Sequence, residues 1–208
     1  MSIESLKMLR LITPGVMCLL FIIIFGHSTG FYKIEFPSSV RDLDKSLAAI
    51  CIAFVYQILP IRKWSNKPFQ SDIAGNIRDK MREIYGVGAP ELSNKDAMTI
   101  FYNFVDNDES LKIQAKIAYF NGYIWSSVAD FRALTLIFCL LSIVCGFFVD
   151  NVFFNVNALA FGVLFACSFF VSYHVTAEHK KISDNQMRTI KNFYREKLIS
   201  KMDELSGG

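Results

Sequence analysis

Ala133-Leu-Thr-Leu-Ile-Phe-Cys-Leu-Leu-Ser-Ile-Val-Cys-Gly-Phe-Phe-Val149 carries no charge, and after one acid, Asp150, the chain from Asn151 to Ala177 is again uncharged. A helix needs about 17–25 apolar residues to cross the hydrocarbon of a bilayer, and lipid forces its backbone to satisfy its own hydrogen bonds. Two such runs joined by so short a corner make an antiparallel helical hairpin. Leu11 to Gly30 and Ser46 to Ile61 are uncharged as well and give a second pair. The sequence therefore predicts an all-α polytopic membrane protein with four transmembrane helices and a helical cytosolic region. Its parts are a first hairpin with an outer loop (1–61), a cytosolic insert (62–131), a second hairpin (132–177) and a cytosolic amphipathic tail (178–208).

Pro14 and Gly15 sit one turn into the first span, where proline costs least. His27-Ser-Thr-Gly30 is a poor cleavage site, so the span reads as an uncleaved helix. The second span is short, and Lys45 and Arg62 at its ends are expected to snorkel to the two interfaces. Of 22 basic residues only Lys33, Arg41 and Lys45 fall in the loop before that span, and the tip of the second hairpin has none. The positive-inside rule then puts both termini and the middle region in the cytosol.

All five cysteines, Cys18, Cys51, Cys139, Cys145 and Cys167, lie within the spans. That placement argues against a disulfide framework or a zinc knuckle and for small packing residues. A net charge of +3 suits a face near anionic lipid and gives no reason to expect nucleic-acid binding. His27 lies at the opposite end of a span from His174 and His179, and no nucleophile elbow, zincin helix or P-loop is present. No catalytic, metal or cofactor residues are assigned, and the expectation is a non-enzymatic protein without a cofactor. Pumps and proton relays need ionisable residues at mid-depth, and these spans carry none. A multimeric pore gated by hydroxyls and phenylalanines stays open as an alternative.

Between helices in lipid, small and hydroxyl residues make the close contacts. Ala158, Gly162 and Ala166 form one such stripe, and Thr135, Cys139, Ser142 and Gly146 another. The two can face each other within the hairpin or serve a neighbouring subunit, and they predict a homo-oligomer, a tetramer. Phe161, Phe165 and Phe169 form a second stripe, expected to face lipid or a neighbouring subunit, or else to line a lipid-tail pocket.

In the middle region, Trp64 to Phe69 reads as an interfacial anchor ended by a proline, followed by a helix from Ser71 to Tyr85 that Gly86 and Gly88 close. A short helix from Asn94 to Val105 comes next. Asp106 to Ser110 reads as a helix cap and lacks the glycine and distant glutamate of a calcium loop. A long helix then runs from Leu111 to Val149, with Gly122 as the candidate hinge and Tyr119, Phe120, Tyr123, Trp125 and Phe131 as an aromatic belt or docking surface. In the tail, Met187, Ile190, Tyr194, Leu198, Met202 and Leu205 form an apolar stripe among basic residues. That stripe can pack on the short helices, on a second copy or on a soluble protein. Tyr123, Trp125, Arg188, Tyr194, Arg195 and Leu198 are the expected partner-docking residues.

The Leu59-Pro-Ile-Arg-Lys-Trp64 exit from span two, the long helix through Tyr123-Ile-Trp125 and the Asp150-Asn151 corner resemble the membrane subunits of Kiwa antiphage systems. The resemblance lies in topology across the whole chain. It implies a homo-oligomeric sensor and scaffold of antiviral defence in the bacterial inner membrane, which recruits a soluble cytosolic effector and contacts membrane lipids without itself binding nucleic acid.

Overall fold

In the computed structural model the described residues are 3–30, 51–56 and 58–206, and they are helical with no strand among them. The helices are α1 (Ile3–Thr29), α2 (Ile61–Tyr85), α3 (Asn94–Asn107), α4 (Glu109–Phe148), α5 (Val152–Phe193) and α6 (Arg195–Ser206). Three of them, α1, α4 and α5, are long and apolar enough to cross a membrane. The outer loop and much of the expected second span lie outside the described residues, within which 51–56 is helical. The chain forms two compact units, one of Met1–Asn66 with Tyr123–Ser172 and the other of Lys67–Gly122 with Tyr173–Gly208, and each takes part of α4 and α5.

The core of the first unit is aromatic. Phe21, Phe25, Tyr56, Leu134, Phe138, Phe154 and Phe161 are buried together. Phe21 meets Phe138 edge-on at 5.5 Å and 86°, a geometry worth about 0.5–1.5 kcal/mol beyond area burial. Phe154 and Phe161 therefore face inward, while Phe169 and Phe170 stay exposed. The expected hairpin is present. Asn151 accepts from the Phe153 N–H at 3.0 Å, capping α5, and its side-chain amide donates to the Thr29 carbonyl at 3.0 Å. Asn157 donates to the Ser28 hydroxyl at 2.6 Å, so two asparagines of the hairpin hold the end of α1.

The small-residue stripes meet within the chain. The Cys139 thiol donates to the Ala158 carbonyl at 3.3 Å, and a Cβ on Gly162 would stand 3.7 Å from Cys139 Sγ. A Cβ on Gly146 would approach Asn155 Oδ1 to 3.3 Å. Thr135 and Ser142 are fully buried and bond backward to the Arg132 and Phe138 carbonyls, so they serve helix packing inside one chain and are not an oligomer surface. Ala166, by contrast, is exposed. Gly162→Ile is expected to destabilise the hairpin by about 1–3 kcal/mol through overpacking, while Gly162→Ala is tolerated. Thermal melts of the two variants in detergent check this.

The second unit has its own core, built from Ile77, Met81, Ala97, Leu111, Met187, Ile190, Leu198 and Met202, each almost fully buried. The expectations for the proline and the tail change here. The helix does not stop at the proline but runs from Ile61 to Tyr85; losing one backbone bond at position 68 is outweighed by anchors on either side, Arg62 and Ser65 before it and the core residues Ile73 to Ile84 after it. Gly122, the candidate hinge, lies within α4, which is helical from Glu109 to Phe148. The amphipathic tail from Glu178 divides between two helices, since α5 continues to Phe193 and the chain bends at Tyr194 before α6. Gly86 and Gly88 end α2 with φ of 96° and 83°, a conformation that favours glycine.

Candidate functional site

Asp130 and Arg132 stand two residues apart on α4, which points them to opposite sides of the helix. Both are almost fully buried in the first unit. Arg62, in the first turn of α2, grips Asp130 with two parallel hydrogen bonds, Nε to Oδ1 at 2.8 Å and Nη2 to Oδ2 at 2.7 Å. The same Nη2 donates to the Arg10 carbonyl on α1 at 2.9 Å. The planar guanidinium of Arg62 finds a matching carboxylate fork within reach. The buried Tyr56 phenol adds a further polar group beside that carboxylate.

Arg132 works on the other side of α4. Its Nε donates to Ser65 Oγ at 3.0 Å, Nη1 to Ser172 Oγ at 2.6 Å and Nη2 to the Ser65 carbonyl, and its guanidinium lies 5.0 Å from the centre of the Phe169 ring. The Ser65 hydroxyl in turn donates to the Ala129 carbonyl at 2.9 Å. Two arginines and one aspartate thus tie α1, α2, α4 and α5 together at fixed register. Chemically the cluster is a clamp, since both oxygens of Asp130 accept bonds from Arg62. Among the described residues, no three His, Cys, Asp or Glu side chains converge as a metal-ligand set.

The sequence reading missed this centre because Arg62, Asp130 and Arg132 flank uncharged runs and look like ordinary interfacial residues. An Asp and an Arg two apart, just before a span, would have been the signal.

The residues expected to dock a partner divide. Arg188 and Arg195 are exposed, with Arg195 Nε reaching the Ile84 carbonyl at 3.4 Å. Leu198 is fully buried and belongs to the second unit's core, which corrects its assignment as a docking residue. Met187, Ile190 and Met202 of the same stripe are buried with it, while Leu205 is exposed. Tyr194 is half-buried, and its hydroxyl donates to Asp108, the residue that caps α4. Tyr123 pairs with Thr13 at 3.0 Å within the first unit, and Trp125 is half-buried. The apolar side chains that the second unit exposes include Tyr102, Phe193 and Leu205 and a continuous stripe on α4, Ile113, Ile117 and Phe120, with Tyr119 beside it and Lys112 and Lys116 alongside. The opposite face of the same helix, Leu111 and Ala115, is buried.

Asp108 is held down to about 2 by hydrogen bonds from the Ser110 hydroxyl at 2.5 Å, the Tyr194 hydroxyl and the Leu111 N–H at 2.7 Å. Its folded value lies below its unfolded one, so its stabilising contribution is complete above about pH 4 and disappears as the pH falls toward about 2. The stability gap between the parent and Asp108→Asn is expected to close across that window, as read by thermal melts at stepped pH.

Comparison with protein-family models, with curated proteins and with solved structures finds no match for this chain. The described residues form an all-helical fold with three helices long and apolar enough to cross a membrane.

Proposed function

We propose that the chain is a non-enzymatic sensor and scaffold of bacterial antiviral defence. In this reading the first unit is anchored in the inner membrane, and the second unit and both termini lie in the cytosol. The chain assembles as a homo-oligomer, a tetramer, and recruits a soluble effector. The observation that carries the reading is the exposed Ile113-Ile117-Phe120 stripe on a unit whose own core is already closed. Apolar surface left over after a core is complete marks an interaction site. The lysines beside it and the exposed Arg188 and Lys191 suit a partner with acidic character.

The pore alternative has less support. Thr135, Ser142 and Ser168 point into the chain and spend their hydroxyl protons on helix carbonyls, whereas the outward faces of α4 and α5 carry Leu140, Val144, Phe147, Val156 and Val163.

The test is expression of the tagged chain with its neighbouring genes. A soluble partner should co-purify with the parent and be lost from Ile117→Asp/Phe120→Asp, with membrane potential unchanged in both. Reversal of Arg188 and Lys191 should weaken capture at low salt. Loss of membrane potential without a retained partner would establish the pore instead. A reporter after Leu205 that is active only in the periplasm would overturn the orientation.

A further inference from the structure

A cavity of about 470 Å³ opens in the first unit, lined from α1 by Met17, from α4 by Tyr123, Ser127 and Phe131, and from α5 by Leu164 and Cys167. Its size falls in the roughly 300–1,000 Å³ range of small-molecule sites. It is not enclosed, since Leu164 and Cys167 are exposed side chains on its wall.

The few polar groups around it are already committed. Thr13 donates to the Leu9 carbonyl at 2.7 Å, which leaves Tyr123 as the donor in the 3.0 Å bond between the two hydroxyls. Ser127 donates to the Tyr123 carbonyl at 3.0 Å, and Ser168, also on the wall, to the Phe165 carbonyl at 2.6 Å. A polar ligand would find no unspent hydroxyl donor and would have to give up its own hydration, a cost nothing here offsets. Hydrocarbon gives up nothing.

Each wall comes from a helix long and apolar enough to cross a membrane, and the inference rests on the reading that the first unit sits in the bilayer, with the open side of the groove toward hydrocarbon. We infer that this groove is a binding site for one acyl chain of a bilayer phospholipid, held between α1, α4 and α5. The groove replaces the missing helix–helix contact at that point, and the acyl chain supplies the dispersion contacts that an empty cavity forfeits.

The test uses the full-length protein reconstituted with a phosphatidylglycerol that carries a diazirine at mid-chain. Photo-adducts mapped by peptide mass spectrometry should concentrate several-fold on Met17, Leu164 and Cys167 over Leu140 and Val156, which face outward. Native mass spectrometry after detergent exchange should show phospholipid retained by the chain. Cys167→Trp fills the groove and should abolish both signals, and Val171→Phe, a smaller change on the same wall, keeps the test valid if the first variant folds poorly. Adducts spread evenly over groove and outward positions would mean annular lipid only and would overturn the proposal. So would retention of a free fatty acid or isoprenoid in place of phospholipid, or protection of the groove by a second copy of the chain.

Discussion

Asp130→Ala is expected to lower stability by about 3–5 kcal/mol, because it leaves Arg62 charged, four-fifths buried and without its carboxylate. For a chain of this length that corresponds to a fall in Tm on the order of 10 °C. The loss comes less from the attraction itself than from the charge that remains behind. Asp130→Leu combined with Arg62→Met should therefore recover most of it, since two apolar side chains of similar volume need no partner. A double-mutant cycle by thermal melts in detergent gives the coupling. Independent, additive losses from the two single variants would show that the clamp does not act as a unit.

Leu198→Asp is expected to unfold the second unit while sparing the first. Leu198 is fully buried beside Met202, Ile190 and Met187, and a carboxylate placed there has no counter-charge among those side chains. The expected loss exceeds about 4 kcal/mol, which is the range for burying an unpaired charge. Hydrogen exchange on the full chain should show protection lost across 67–122 and 173–208 and retained across 123–172. The same readout should leave Arg188→Glu unchanged, because that side chain is exposed. Loss of partner capture by Leu198→Asp would thus report unfolding, whereas the same loss by Ile117→Asp/Phe120→Asp would report docking. Protection unchanged in Leu198→Asp would contradict the burial of the tail stripe.

The local elements were legible in the sequence because their causes are local. Uncharged length decides that α1, α4 and α5 can span a bilayer. Ser93 caps α3 through the Asp96 N–H at 3.1 Å, Asp108 caps α4, and glycines at positive φ end α2; side chains within a few residues control each of these. Spacing also identified the tail stripe as a surface that must be covered, and the small residues of α4 and α5 as contact faces.

Only the tertiary structure decided what covers what. Most of the tail stripe is buried within its own unit, with α6 packed on α3 and Tyr194 5.8 Å from the Phe104 ring, while Leu205 stays exposed, and no property of residues 187–205 distinguishes that outcome from the others. The phenylalanines of the spans likewise look alike in sequence, yet Phe154 and Phe161 close the core while Phe169 and Phe170 face outward. Arg62 and Asp130 are 68 residues apart, so the fork that fixes them exists only once α2 and α4 lie together. Periodicity tells which face of a helix is apolar, but the partner of that face is set by long-range geometry that no local pattern encodes.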